Sequence, residues 1–297
     1  MNIAQLVLLG LCLAFGCTPL LAQQREDAPG SASSDWIYLD NGTLRLGIIK
    51  SAGAGIGYLS RSQSKVNLLN HYDRGRLIQQ SYYGDSDGSK WAERPWCLNP
   101  VQGGSYRGKI PNLLETKLEG NKFYSKSIPL HWATGQQLDD FVLEQWIELS
   151  DEVVKIRFKM TYHGEKTHKP RHQEIPAVFL NPSLAKLCLY QGDKPWQEDK
   201  ISTVEPGPKN EYFSLPEHWA AYIGEDGQGV GVCVPAASEL TCYRVNRNPA
   251  SDCSYLAPIA TFALEPDLAF SYDAYLAIGT AQELREQFRN FAKERER

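Results

Sequence analysis

The sequence predicts an all-β fold, an antiparallel β-sandwich finished by one C-terminal helix. Three observations predict it. Val154, Ile156, Phe158 and Met160 alternate with Lys155, Arg157 and Lys159, and a second run, Phe141 to Leu149, precedes them across the turn Ser150-Asp151-Glu152. Such alternation marks a strand with one face in a core and the other in water. Asn41-Gly42 stands between two apolar runs, and these are residues that accept the positive φ a tight hairpin turn requires. Thr280 and Glu283 form a capping box ahead of Leu284, Phe288 and Phe291, which share one helical face.

Taken in order, the chain begins with an export signal over residues 1–22. Leu6 to Phe15 is an apolar run too short to span a bilayer, and small residues follow it. Two processing sites fit. Ala14-Phe15-Gly16-Cys17 resembles a bacterial lipobox, which would put a lipid on Cys17 and hold the protein at a membrane; cleavage after Ala22 would release it. Gln23 to Ser34 reads as a flexible tether, and residues 35–297 as a single sandwich domain. Trp36 to Leu39 and Leu44 to Ile48 make the first hairpin. Ala52 to Gly57 reads as a turn or bulge, and Tyr58-Leu59 restarts a strand. Gly108 to Gly120 reads as loop with a short strand near Leu118, and His163 to His172 as a basic loop. Ile175 to Leu180 and Lys186 to Tyr190 are strands on either side of Asn181-Pro182. Trp219 to Ile223 and Val230 to Val234 pair around Glu225-Asp226-Gly227. Tyr243 to Val245, Ala260 to Leu264 and Phe270 to Ile278 complete the strands, and the helix runs from Thr280 to Glu296. Many strands at short intervals with one terminal helix describe a sandwich.

Composition narrows the function. The 297 residues carry a formal charge of −4 and are 42% hydrophobic, which suits one large globular domain. Slight acidity argues against a nucleic-acid partner, which leaves a basic stripe. The sequence has no P-loop, no dinucleotide glycine fingerprint and no Gly-x-Ser-x-Gly elbow, so no cofactor is expected and acyl transfer is unsupported. Five cysteines follow the signal, with no metal-knuckle or redox spacing; Cys242 and Cys253 flank a polar loop and are the expected disulfide, the alternative being that several are small buried hydrophobes. His163, His168 and His172 match no zinc pattern and sit among Lys and Arg, and Asp85-Ser86-Asp87-Gly88-Ser89 echoes only half of a calcium loop, so no metal site is expected. Oligomeric state is not legible from the residues.

Candidate site residues concentrate between Asn70 and Gly104. His71, Asp73, Arg74, Arg76 and Gln79 precede Tyr82 and Tyr83, and Trp91 and Trp96 follow. Flat rings beside fixed polar groups suit a sugar, with CH faces to stack and hydroxyls to bracket. Arg74 and Arg76 carry planar forks suited to a carboxylate, a sulfate or paired hydroxyls. His172 and Glu174 lie two apart, so in a strand both leave one face, where an imidazole and a carboxyl divide acid and base roles if their pKa values separate. Glu174, just before an apolar strand, is the stronger catalytic candidate. His218, between Glu217 and Trp219 at the start of a hairpin, is another.

Asn67-Leu68-Leu69-Asn70 with Asp73-Arg74-Gly75-Arg76 resembles the early sugar-site segment of galactose-mutarotase-like β-supersandwich proteins. Glu217-His218-Trp219-Ala220-Ala221 running into Gly227-Gln228-Gly229-Val230-Gly231-Val232 is similar to a hairpin of the same group. The resemblance implies the supersandwich fold and a carbohydrate-related role: epimerase, domain of a glycoside hydrolase, or polysaccharide lyase. In the epimerases a mid-chain His is the acid and a late Glu the base, and no late Glu aligns here. The resulting expectation is an exported protein that binds and cleaves a polysaccharide or oligosaccharide, an acidic one if the arginines face it. Glu174 and His71 would be the acid–base pair, Asp73 a second carboxylate, and Tyr82 or Tyr83 a base if the reaction is elimination. A non-catalytic glycan binder and a mutarotase-like isomerase are the alternatives.

Overall fold

The computed structural model describes residues 35–292, apart from Tyr72, Arg74, Pro249 and Ala250. The signal and tether, and the helix end from residue 293 onward, therefore lie outside the described residues, as does Arg74.

A three-stranded meander opens the fold: β1 (Trp36–Asp40), β2 (Leu44–Ile49) and β3 (Gly55–Arg61). Gly42 takes a φ of 87° in the first turn, and the Asn41 side-chain oxygen accepts from the amides of Thr43 and Leu44 at 3.0 and 2.8 Å. The stretch expected to turn until Gly57 does so only through Ala54, and β3 begins at Gly55. Short strands follow: β4 (Gln79–Ser81), the separate hairpin of β5 (Ser86–Trp91) and β6 (Arg94–Cys97), and β7 (Pro100–Val101). β8 (Asn112–Glu119) spans most of the segment expected to be loop; its Lys, Glu and Thr residues conceal it because it is an edge strand, largely solvated. β9 (Lys122–Ile128) and β10 (Leu130–His131) come next, then the alternating hairpin of β11 (Phe141–Ser150) and β12 (Val153–Tyr162).

β13 (His168–Leu180) begins inside the predicted basic loop, because the exposed residues Lys169 to His172 are the water-facing start of a thirteen-residue strand. β14 (Lys186–Tyr190), β15 (Ile201–Val204), β16 (Glu211–Ser214), β17 (Trp219–Ile223), β18 (Gly229–Cys233), β19 (Glu239–Val245), β20 (Cys253–Leu264) and β21 (Ala269–Gly279) lead into α1 (Ala281–Ala292). The capping box forms: the Thr280 amide donates to Glu283 Oε2 at 2.8 Å.

Two antiparallel sheets hold the core. One has the order β15-β14-β17-β18-β21-β12-β11-β9-β8 and the other β10-β7-β4-β13-β20-β19-β16. Between them pack Phe158 and Met160 of β12, Leu276 of β21, Val178 and Leu180 of β13 and Leu256 of β20. The helix lays Leu284 and Phe288 on Trp219, Cys233 and Ala277, covering part of the nine-stranded sheet from outside. Under that helix Glu217, just ahead of β17, is buried; it accepts from Trp219 Nε1 and grips Arg285 of α1.

The expected Cys242–Cys253 bridge is not formed, and no disulfide joins any of the five described cysteines. Register explains it. Tyr243 pairs with Tyr255 and Cys242 with Leu256, so Cys242 points into the core while Cys253 joins Phe179 and Tyr255 on the opposite face of the sheet.

Candidate functional site on the open face of the seven-stranded sheet

The face of the seven-stranded sheet turned away from the core collects polar and aromatic side chains. Glu174 of β13 stands opposite Ser81 of β4 on one side and Ile259 of β20 on the other. On β20 the same face carries Cys253, Tyr255 and Ala257, and on β19 it carries Glu239, Thr241 and Tyr243. Strand alternation sends Ile175 and Val178 inward and leaves Glu174 outward, and the register shifts just after Glu174, a bulge of the kind that re-aims a side chain.

Two tyrosines clamp the carboxyl. Tyr83 donates its hydroxyl to Glu174 Oε1 at 2.9 Å, and the Tyr255 hydroxyl donates to the same oxygen. Tyr83 is held by its backbone: its amide donates to the buried Gln173 side chain at 2.6 Å, and Gln173 Nε2 returns a bond to its carbonyl at 3.0 Å. Tyr255 stacks on Tyr243 at 4.5 Å and meets the tilted ring of Phe179 at 4.7 Å. Burial pushes the Glu174 carboxyl above its ordinary range, against the opposing pull of donors from Tyr255, Ser81 and Tyr83. Burial, and then the charge of Glu174, push both phenols well above theirs. The phenols are therefore donors only near neutrality, and Glu174 is the group in this cluster placed to give or take a proton.

A turn and an aromatic wall border this cluster. Asp73 Oδ1 accepts from the Gly75 amide at 3.0 Å, and Asp73 Oδ2 from Arg76 Nε at 2.6 Å. Arg76 Nη1 reaches the Ser251 carbonyl at 3.0 Å and lies 3.7 Å from Cys253 Sγ. Burial lowers the Arg76 guanidinium, but Asp73 and the groups around it carry it above its ordinary value. The Trp132 ring rests on the backbone of Gly75, where a Cβ would stand 1.9 Å from it, so glycine there is a condition of the wall. From Trp132 the rings continue through Trp91 at 6.5 Å, Trp96 at 5.1 Å from Trp91, and Tyr83 at 6.5 Å from Trp96.

The sequence-predicted residues divide. Glu174, Tyr83, Asp73, Arg76, Trp91 and Trp96 come together. Tyr82 does not: it is fully buried between the sheets and donates to Gln80 at 2.9 Å, because consecutive residues leave opposite faces. Gln79 is buried and bonds at both ends to backbone, to the Gly75 carbonyl and from the Gly103 amide, so it positions the turn and the wall. Arg76 engages Nε and Nη1 within the protein, and what the site sees is an Asp73–Arg76 pair in place of an open anion fork. His71 sits against Asn67 at 3.1 Å and edge-on to Trp36. His172 shares the face of Glu174 by register, exposed, 3.7 Å from Glu239 and near Tyr212. His218, at positive φ, bonds the Ala237 carbonyl at the head of β17, in the other sheet. Tyr255, Tyr243, Phe179 and Trp132 were not visible as site residues; Tyr243 reads as an ordinary strand ring, and Tyr255 precedes the predicted strand Ala260 to Leu264, which the structure extends back to Cys253.

Asp87, in the stretch that echoes a calcium loop, is part of β5 and meets His131 Nε2 at 2.8 Å. The Asp85 amide, two residues before it, donates to His168 Nδ1 at 3.2 Å. These pairs anchor the base of the hairpin that carries Trp91 and Trp96.

Comparison of the sequence with protein-family models and with curated proteins finds no match. The fold does have counterparts. A galactose mutarotase-like protein from Lactobacillus casei superposes with a TM-score of 0.57 at 10% identity, over 82% of this chain and 100% of that one. A galactose mutarotase related enzyme from Lactobacillus acidophilus gives 0.53 at 8% identity, over 83% and 98%. A galactose mutarotase-like protein from Clostridium acetobutylicum gives 0.53 at 12%, over 82% and 95%. The chain therefore has the galactose-mutarotase-like sandwich fold, as the Asn67–Arg76 and Glu217–Val232 segments indicated.

Proposed function

We propose that the protein is an exported, carbohydrate-active protein that lays a glycan across the open face of the seven-stranded sheet and hydrolyses it with Glu174 as the proton donor. The observation that carries this reading is the buried, tyrosine-clamped carboxyl of Glu174 beside a continuous wall of indole and phenol rings. A carboxyl raised above its ordinary range keeps its proton nearer neutrality and can give it to a departing sugar oxygen. Asp73, which like Glu174 acts on Tyr243 through its charge, is the second carboxylate, and its distance from Glu174 in a sugar complex would set retaining or inverting chemistry. The fold's counterparts, described as galactose mutarotase-like, support a carbohydrate ligand. Mutarotase chemistry is less well supported: along the late strand β20 the open face carries Cys253, Tyr255, Ala257, Ile259 and Thr261, none of them a carboxylate. Elimination is less well supported too, since Tyr83 and Tyr255 are too weakly acidic to serve as bases. Export rests on Leu6 to Phe15 and the residues after it, which are outside the described structure.

Product analysis on a panel of polysaccharides tests the assignment. New reducing ends without unsaturated uronates are expected from the wild type, and a loss of at least about a hundredfold in rate from Glu174→Gln. Unsaturated products, a changed anomer ratio on free sugars, or full activity of the variant would each replace it.

A further inference from the structure

The nine-stranded sheet has an outer face that α1 covers only in part. Beyond the helix, register aligns two rows of side chains across five strands. One row is Lys117, Tyr124, Trp146, Arg157 and Asp273, from β8, β9, β11, β12 and β21. The next row carries Glu119, Lys122, Glu148 and Lys155 and ends on Tyr275. Together they line a groove of about 640 Å³, walled at one end where Phe291 of α1 stacks on Tyr275 at 4.2 Å. That volume lies in the range of small-ligand sites.

We propose that this groove is a second, non-catalytic binding site for a neutral, hydroxyl-rich glycan chain. Trp146 is 39% exposed in the middle of a charged sheet face, and Tyr124 lies beside it at 5.2 Å. The Tyr124 ring is fixed: its hydroxyl donates to Glu144 at 2.8 Å, and Glu144 in turn holds Lys159 at 3.0 Å. The Lys117 ammonium lies over the Tyr124 ring at 5.5 Å, so the fixed tyrosine buttresses Trp146, and the exposed indole offers a sugar its stacking surface. Most of the charges around them are already matched, and the Lys155 ammonium lies over the Phe291 ring at 5.8 Å. Arg157 grips Asp273 at 2.9 and 2.8 Å, Lys122 lies 3.6 Å from Glu148, and Lys117 lies 2.7 Å from Glu115. Such pairs present donors and acceptors of both signs with little net field, which suits hydroxyls better than an anionic ligand. A protein partner would call for a wider apolar patch than one exposed indole among charges. The site is on the side of the sandwich opposite Glu174, so it acts as an anchor for the polymer independent of the chemistry.

Affinity electrophoresis of the full chain, in the Glu174→Gln background so that no polymer is degraded, tests this with galactomannan, a soluble β-glucan and polygalacturonate. A neutral polymer should retard the protein, and adding Trp146→Ala should weaken that retardation by about tenfold, the worth of one well-stacked ring. Trp146→Phe should keep most of it, and Trp146→Ala in the otherwise native chain should turn over short oligosaccharides at the native rate. The proposal is overturned if no neutral polymer retards the protein, if Trp146→Ala leaves retardation unchanged, or if only polygalacturonate binds. It is overturned equally if Trp146→Ala alters sedimentation without altering glycan binding, which would make the groove a contact between copies of the chain. Loss of Trp146-dependent retardation and loss of product formation are read in separate assays, so failure of one assignment leaves the other standing.

Discussion

On the seven-stranded sheet the face away from the core sets a carboxyl, Glu174, among neutral donors. On the nine-stranded sheet the corresponding face sets carboxylates against guanidinium groups: Glu217 with Arg285 beneath the helix, and Asp273 with Arg157 in the open. The same functional group thus meets three surroundings. Where only phenols and a serine answer it, burial dominates and the carboxyl is driven toward its neutral form. Where a cation answers it in a dry place, the two are fastened by short hydrogen bonds. Where water reaches both partners, the pair costs little and holds little. A proton donor belongs in the first setting, a structural rivet in the second and a ligand-facing surface in the third.

The largest expected effect tests the rivet. Glu217 is fully buried and takes bonds from Arg285 Nη2 at 2.6 Å and Nε at 2.8 Å, besides Trp219 Nε1 at 2.9 Å and the Trp196 amide at 2.6 Å. Arg285→Ala leaves that charge without its cation and should cost about 3–5 kcal/mol in urea unfolding. A loss below about 1 kcal/mol would mean that the tryptophan and backbone donors alone hold the carboxylate, and would erase the distinction between this setting and that of Glu174.

Next in size comes the clamp. Tyr255→Phe removes one of the two phenols bonded to Glu174 Oε1 and should cost about 1.5–3 kcal/mol where the carboxylate is ionised. The pH dependence has a definite sign. A carboxyl whose folded pKa lies above its unfolded value contributes stability that is complete below the unfolded value, and that contribution is lost as pH rises through the folded one. Wild-type stability should therefore fall, relative to Glu174→Gln, from about pH 4.3 upward through the raised pKa of Glu174. Tyr255→Phe, lacking a donor that lowers that pKa, should begin its fall at the same pH, set by the unfolded carboxyl, and carry it further, to a higher pH. Thermal unfolding of the three proteins across this range reads it, and a fall that ends at lower pH in the variant than in the wild type would refute the role of the clamp.

Much of this comparison was legible in the residues, and the rest was hidden for identifiable reasons. The Phe141–Tyr162 hairpin declares itself because one face is core and the other charged, and that charged face is the one that carries Arg157. Glu174 stands out as a carboxylate at the edge of an apolar strand. Tyr82 and Tyr83 look equivalent in a row of aromatics, yet alternation sends one into the core and the other to Glu174. The clamp itself could not be read, since Tyr255 and Glu174 are 81 residues apart and meet only through the pairing of β13 with β20. β4, β7 and β10 are two or three residues long and show no period, so the strands that place Ser81 and Trp132 were invisible. Arg76 read as an anion fork because sequence cannot show that the Ser251 carbonyl lies within its reach.

The smallest effect concerns the open pair. Arg157 and Asp273 make a two-pronged contact at 2.9 and 2.8 Å, but their side chains are 61% and 39% exposed. Two unit charges in water attract by only about 1 kcal/mol at 4 Å. The strands already align the partners, so little side-chain entropy is lost, and the flat fork-to-carboxylate geometry favours the upper end of what exposed pairs give. A double-mutant cycle with Arg157→Gln and Asp273→Asn should thus return a coupling of about 0.2–1 kcal/mol. Raising the salt to about 1 M shortens screening to about 3 Å and should remove most of it. A coupling that stays above about 2 kcal/mol at high salt would mean that the groove beside Trp146 excludes water. The outer face would then resemble the setting of Glu217 more than an open surface, and Arg157 and Asp273 would be poor partners for the hydroxyls of an incoming sugar.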